Sequence, residues 1–463
     1  MKPDLPYRLE RIFLLVAAIF GVTFALAFPP FQAPDESSHM VRAYQISEFK
    51  ILTPKNEAGI LGDYIPESLI KTMGESMQDV AHNKEKKVDI GRIIGLFGRD
   101  LNPEKRVFFP VAMALYSPVP YLPQTAAMLL GRMIELPPLV IMYLGRFLNL
   151  AVWMLLVFAA IRALPFFKYV FLLLAMSPLS IHLAASLSAD ALTSGIAFLF
   201  IATVLRIAYG ESQTIGRTDL ILLFVLAGAL SLCKQVYVLL IFIFLLIPAE
   251  KFGPKRPRAV ILALLFLWCE GLNMGWFLAA RGMMEASPFI QTKELISPHQ
   301  QAAFIIAQPL SYIKVLVNTL ISKQFYHVSF IGKLGWLDLT IPYTLIYMKI
   351  CALVFFGLAD SRKHVSVRPA QKMLVLAVFA AVFLLIITIL YCAWTPVGAP
   401  EIRGVQGRYF IPISPLFMLL LYNRFFNRHI PISERVKCIC ALAVICSSMV
   451  VSTIFVIYRY YGI

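Results

Sequence analysis

Pro29-Pro30-Phe31-Gln32-Ala33-Pro34-Asp35-Glu36-Ser37-Ser38-His39-Met40-Val41-Arg42-Ala43-Tyr44 comes directly after the first apolar segment, residues 12–28, and sets two adjacent carboxylates at a membrane surface. Pro34 suits the first position of a helix. Met40, Val41, Tyr44, Ile46 and Phe49 make the segment after Pro34 amphipathic, suited to lying along a bilayer. The i, i+4, i+7 spacing predicts that Asp35, His39 and Arg42 share one face. Two readings stay open at this point. One is a capped interfacial helix whose acids complement the helix dipole and whose arginine snorkels; the other is a reaction centre.

Of 463 residues, 59% are hydrophobic and 15% charged, with a mean hydropathy of +0.75. Arranged in uncharged runs of about 17–25 residues, this is the composition of an all-α polytopic membrane protein, not of a soluble core. The net charge of +16 resides in short loops between apolar runs, the pattern of the positive-inside rule, so no nucleic-acid partner is expected. The seven cysteines lie in or beside apolar runs without metal-ligand spacing and read as packing residues. Ala25-Leu26-Ala27 has the small-residue form of a signal-peptidase site. The apolar run before it is longer than a usual signal core, and more spans come after it, so we read an uncleaved first helix with a cytoplasmic N-terminus. The expected location is the inner or plasma membrane, crossed many times.

The chain reads as one integral membrane domain, 1–463, with a first extracytoplasmic loop at 31–137 carrying juxtamembrane helices, a second at 280–340, and no separate soluble domain. Within the first loop, 107–133 is apolar but interrupted by Pro110, Pro118, Pro120 and Pro123. If that segment lies at the interface or is re-entrant, the spans after the first are 138–161, 167–187, 190–209, 219–233, 235–249, 259–279, 341–359, 373–394, 409–423 and 438–457, about eleven in all. The loops carrying Arg162 and Lys168, Arg206 and Arg217, Lys251, Lys255, Arg256 and Arg258, Arg362, Lys363, Arg368 and Lys372, and Arg424, Arg428, Arg435 and Lys437 then all face the cytoplasm. If it crosses, every one of them moves outside. No internal repeat, Walker motif or zinc-ligand cluster is present.

This topology gathers polar residues on the outer face, where a cluster beside hydrocarbon is a site hypothesis. Asp190 sits in Ser186-Leu187-Ser188-Ala189-Asp190-Ala191, where Ser188 or Asp190 can also cap the next helix. Lys234 lies at a hairpin tip, within reach of lipid phosphate. Arg403-Gly404-Val405-Gln406-Gly407-Arg408-Tyr409-Phe410 offers two arginine forks for phosphate and two glycines that let backbone approach an anion. Outside the membrane there is no ATP, so group transfer there needs a pre-activated donor such as a lipid-linked phosphate sugar. A carboxylate would be the general base, with arginine or lysine stabilising the departing phosphate, and one acid attacking from the opposite face implies inversion. Asp35 with Glu36 is alternatively a divalent-cation site, for magnesium or manganese. His39 either orients Asp35 or is a satisfied interfacial histidine. Gln324, Tyr326, His327, Trp336 and Asp338 read as sugar contacts or as packing against the first loop.

Pro34-Asp35-Glu36 with His39, Arg42 and Tyr44, then Tyr116-Ser117-Pro118-Val119-Pro120-Tyr121, Gly332-Lys333-Leu334-Gly335-Trp336-Leu337-Asp338 and Gly407-Arg408-Tyr409-Phe410, occur in an order that resembles a bacterial family of multi-spanning membrane proteins of unassigned function. The first helix with an acidic pair just beyond it resembles the GT-C class of polyprenyl-phosphate-sugar-dependent glycosyltransferases. That resemblance implies a GT-C-like fold and Asp35 as catalytic base, with Glu36 as its partner or a metal ligand. With the reading of the residues above, Arg403, Arg408, Lys234 and Arg42 are the expected donor-phosphate ligands. Supporting or acceptor contacts would come from His39, Asp190, Tyr116, Tyr121, Gln406, Tyr409, Trp336 and Asp338. The partners that the resemblance implies are a polyprenyl-phosphate-sugar donor, membrane lipids, and a glycan, wall-polymer or lipid acceptor. The sequence shows no Trp-Trp-Asp acceptor motif and no sizeable C-terminal soluble domain, which argues against a protein-asparagine acceptor. The rival readings are a transporter or flippase of lipid-linked sugars and a non-catalytic scaffold of polysaccharide assembly.

Overall fold

The computed structural model describes residues 8–81, 83–253, 257–284, 296–322, 326–362, 365–430 and 432–463; there the chain is mostly helical, with two short two-stranded sheets. Lys255, Arg256, Gln324 and Lys363 lie outside the described residues. Among those described, six helices are long and apolar enough to cross a membrane: Leu9–Ala27, Pro138–Ala163, Ala189–Tyr209, Arg258–Met284, Pro369–Trp394 and Glu434–Tyr461. A pair bent by 109°, Pro298–Ala307 with Pro309–Ile321, makes a seventh if taken as one span. Ala189–Tyr209 is the central helix, buried along nearly its whole length between Pro138–Ala163 and Arg217–Cys233.

The other expected spans are shorter or interrupted, each with a local cause. Segment 167–187 breaks into Lys168–Ala175 and Pro178–Ala184, because Pro178 opens a new helix where an amide donor would be needed. Lys349 closes that break by donating to the Met176 carbonyl at 3.1 Å. Segment 409–423, carrying Pro412 and Pro415, becomes the short turns Gly407–Phe410 and Ser414–Leu420. Segment 235–249 is a 3-10 helix, Gln235–Leu246, and Arg217–Cys233 and Tyr343–Ala359 have 17 residues each.

The first loop is folded. Gly62–Pro66 pairs antiparallel with Arg106–Pro110, Gly62 opposite Pro110 and Pro66 opposite Arg106. Glu48 pins Arg106 at 2.6 Å, and Lys50 bonds Asp63 at 2.9 Å. The apolar stretch 107–133 holds the end of that strand, a turn at Val119–Tyr121 and the 12-residue helix Leu122–Met133. A helix of that length is about 18 Å long, well short of a hydrocarbon core of about 30 Å. This stretch therefore does not cross as a helix.

One interaction fixes where the first helix ends and the motif helix Glu36–Ser47 begins. Pro29 and Pro30 cannot extend Leu9–Ala27, whose last carbonyls then need donors. Arg146, in the middle of Pro138–Ala163, supplies them: its Nη1 donates to Ala25 and Phe28 carbonyls at 2.8 Å each, and its Nη2 to Pro29 at 2.9 Å. The same guanidinium grips Glu36 in a two-pronged pair, Nε to Oε1 at 2.8 Å and Nη2 to Oε2 at 2.7 Å. Glu36 Oε1 also accepts from the Leu187 amide at 3.1 Å. Both side chains are fully buried, and all five guanidinium donors are used. Removing one partner of such a pair strands a charge in a dry interior. Glu36→Gln is expected to lower stability by about 3 kcal/mol, and Glu36→Gln with Arg146→Met to recover much of the loss, read from thermal unfolding in detergent.

Candidate functional site

The carboxylate next to Glu36 faces elsewhere. Asp35 holds a left-handed backbone (φ 60°, ψ 12°) at the start of Glu36–Ser47, and its side chain makes no cap bond. Its carbonyl accepts from the His39 amide at 2.9 Å, while its carboxylate turns into a cavity of about 650 Å³. Asp35, His39, Tyr116, Asp190, Lys234, Gln406, Arg408 and Tyr409 form the polar wall of that cavity. Met113, Met284, Pro298 and Trp394 are among its apolar lining. The volume suits a small-molecule headgroup.

Each charged member arrives from a different element. Asp190 opens Ala189–Tyr209, but the cap belongs to Ser188, whose Oγ accepts from the Asp190 amide at 3.2 Å and leaves the carboxylate free. Asn149 and Gln124 hold the preceding turn through the carbonyls of Ser186, Leu187 and Ser188. Lys234, ending Arg217–Cys233, meets Asp190 at 2.5 Å. Arg408 Nη2 bonds Asp35 Oδ2 at 2.8 Å, and its Nε lies 3.6 Å from Asp190 Oδ2. Tyr409 lies between the two cations, its ring centroid 5.0 Å from Lys234 Nζ and 5.3 Å from Arg408 Cζ, and its carbonyl accepts from Tyr237. Two carboxylates and two cations thus balance in one buried network.

Burial opposes the charge on Lys234, but Asp190 more than compensates and holds the ammonium above its ordinary range. Burial likewise opposes Arg408, while Tyr409, Asp190 and Asp35 hold it charged. His39 moves the other way: burial outweighs the nearby carboxylates and brings the imidazole down from 6.5 to about 4. Its Nδ1 pairs with the buried Tyr121 hydroxyl at 2.9 Å, and burial raises both Tyr121 and Tyr116. His39 is neutral at neutral pH.

Several expected ligands lie elsewhere. Arg42 is fully buried but bonds Gln45, Thr53 and the carbonyls of Ile51 and Tyr116, so it staples the first loop and does not line the cavity. The expected common face of Asp35, His39 and Arg42 stops at His39, because the loop supplies better acceptors for the guanidinium. Glu36 is the anchor described above. The adjacent carboxylates enter separate ion pairs, Glu36 with Arg146 and Asp35 with Arg408. Among the described residues no three His, Cys, Asp or Glu side chains form a metal set. Arg403 is exposed, with its amide on Thr395 Oγ1, and is not part of the lining. Trp336 donates to the Phe31 carbonyl at 2.9 Å, and Asp338 pairs with Arg459 at 2.9 Å, both outside the cavity lining. Tyr326 and His327 point to Thr319 and Tyr347. Gly407 serves packing and not anion approach: any Cβ there would strike the backbone of Phe330. Its amide bonds Ser329 Oγ at 2.9 Å, which seats Arg408.

The His39 environment has a pH signature. A folded value below the unfolded one means that stability is fully present above about 6.5 and is lost as pH falls towards about 4. His39→Gln, which keeps a hydrogen-bonding side chain, is expected to flatten the fall in melting temperature over that window relative to wild type.

No curated protein matches this chain. The family described as predicted membrane protein (DUF2142) matches residues 18–417. With the match covering most of its length, the chain belongs to that family.

Proposed function

We propose that the chain is a multi-pass membrane glycosyltransferase of GT-C-like architecture. In this reading it moves a sugar from a polyprenyl-phosphate donor to a hydroxyl of a glycan, wall polymer or lipid. The observation that carries the reading is Arg408. Its guanidinium is buried in the polar wall, its Nε has no hydrogen-bond partner among the described residues, and it already binds an anionic oxygen of Asp35. A buried donor fork left partly unpaired at a cavity invites a second anion, and phosphate geometry matches it. The buried Gln406 carboxamide oxygen, also without a partner among the described residues, suits a sugar hydroxyl.

The chemistry then comes from the residues. Asp35 takes the proton of the acceptor hydroxyl as its oxygen bonds to the anomeric carbon. The bond from that carbon to the phosphate oxygen breaks, and its electron pair leaves with the phosphate. Arg408 and Lys234 oppose the charge that gathers there. Attack opposite the leaving group inverts the anomeric centre. Asp190 fixes Lys234 and Arg408, and neutral His39 and Tyr116 line the acceptor side. The apolar wall at Met284, Pro298 and Trp394 suits the start of a polyprenyl tail.

The cavity gathers the ends of helices whose opposite ends carry Arg206, Arg217, Arg258 and Arg368, which supports an extracytoplasmic site and a cytoplasmic N-terminus. In a cysteine-free background, Glu57→Cys is expected to react with a membrane-impermeant thiol reagent on intact cells, and Gln213→Cys only after permeabilisation. The converse pattern would invert the topology. Asp35→Asn is expected to lower transfer from radiolabelled polyprenyl-phosphate sugars by at least about 100-fold at matched expression. Equal transfer by both proteins would remove Asp35 as base. Leaflet-to-leaflet movement of labelled lipid by both, without transfer, would replace the enzyme by a flippase.

A further inference from the structure

The carboxylate assigned as base is bound to the cation assigned to the donor's phosphate. Asp35 Oδ2 accepts from Arg408 Nη2 at 2.8 Å, so the lone pair facing Arg408 is not offered to an acceptor hydroxyl. Asp190 shares the network but is held differently: Lys234 grips it at 2.5 Å, and its side chain is 12% exposed against 35% for Asp35. Arg408 is only 7% exposed, and Gly407 before it packs against the Phe330 backbone with its amide on Ser329, so the backbone that carries Arg408 is fixed whatever its side chain binds. The most weakly held charge in the network is Asp35.

We propose that Asp35 and the donor's phosphate compete for Arg408, so that seating a polyprenyl phosphate displaces the carboxylate and frees it to act as base. This deepens the glycosyl-transfer reading and rests on it. On the guanidinium one anionic oxygen ligand takes the place of another, phosphate for carboxylate. Arg408 Nε approaches Asp190 only at 3.6 Å and makes no hydrogen bond, so it is the second prong open to the incoming phosphate. Lys234, 5.0 Å from the Tyr409 ring that also faces Arg408, stands beside the same place. A rotamer change at Asp35 turns the carboxylate without moving Glu36, which Arg146 holds. The consequence is an order of events: donor first, acceptor activated second. A hydroxyl entering without donor meets a carboxylate whose charge is partly spent on Arg408, and so a weaker base.

The competition is read by binding. Purified full-length protein is titrated with farnesyl monophosphate, with inorganic phosphate as the headgroup alone. Asp35→Asn removes the competitor while keeping a side chain at home in left-handed backbone, and Asp35→Gly removes it with a residue that the backbone favours. Both variants are expected to bind farnesyl monophosphate about tenfold more tightly than wild type, ~1.4 kcal/mol. Arg408→Gln is expected to lose the binding, and Asp35→Asn in that background to restore none of it. Unchanged or weaker binding by both Asp35 variants overturns the competition. Tighter binding in the Arg408→Gln background overturns it as well, because the gain would then not run through Arg408. The two readings fail separately. Wild-type sugar transfer without tighter binding in the variants sinks the competition alone. Tighter binding together with no transfer from any polyprenyl-phosphate sugar sinks the enzyme reading and leaves a gated lipid-phosphate site.

Discussion

A single guanidinium sets the frame. Arg146 spends its five donors on three carbonyls at the end of the first helix and on both oxygens of Glu36, and Glu36 in turn holds the Leu187 amide. Four pieces of chain meet at that point: the first helix, the motif helix, Pro138–Ala163 and the turn before Ala189–Tyr209. An ionised pair this deep is costly unless every donor and acceptor is met, and here each is met. Glu36 is the first helical residue and is clamped into the bundle, while Asp35 before it lies outside the helix and faces the cavity. The backbone of Asp35 is left-handed there. Two adjacent acids thereby acquire unlike tasks, one architectural and one exposed to the cavity.

The cavity network is built on the same logic of complete pairing, with one local deficit. Lys234 and Asp190 form the tight pair, and Arg408 bridges from Asp190 to Asp35. Ser188 takes over the helix cap, which releases Asp190 for this task. Gly407 has no room for a side chain, and Ser329 holds its amide, so Arg408 is delivered by packing as much as by charge. In the cavity wall, the Arg408 Nε and the Gln406 carbonyl oxygen stay unmatched among the described residues, and both are buried. Native interiors leave few such atoms. Their position, next to a carboxylate that already behaves as an anionic ligand, is what gives the site a chemical direction.

The site's members are more readily legible in the sequence than their partners. Asp35, Asp190, Lys234, Gln406, Arg408 and Tyr409 stand out because polar residues at the ends of apolar runs are expensive, and the positive-inside pattern puts them on one side. Arg42 misleads because helical spacing predicts direction only for residues without a better acceptor off the helix; Ile51 and Tyr116 carbonyls draw it away. Glu36 misleads because adjacency suggests a shared role. Its partner Arg146 lies outside every motif, yet carries a signal of its own: an arginine amid Met142, Leu144, Phe147, Leu148 and Leu150 has to be paired within the bundle. Long spans are legible to within a few residues. The departures are the segments with Pro178, Pro412 and Pro415, where apolar composition hides a missing amide, and 235–249, where composition alone does not separate a 3-10 turn from an α-helix.

The ion pair at the centre of the cavity also joins distant parts of the chain. Asp35 lies just past the first helix and Arg408 near the last ones, 373 positions apart, and the Asp190–Lys234 pair lies between them in sequence. The Arg146 clamp, by contrast, joins residues 110 apart. Loop-closure entropy grows slowly with separation, so the longer contact costs little more than the shorter one. The architectural acid is thus held by a contact nearer in the sequence, and the cavity acid by one that spans most of the chain.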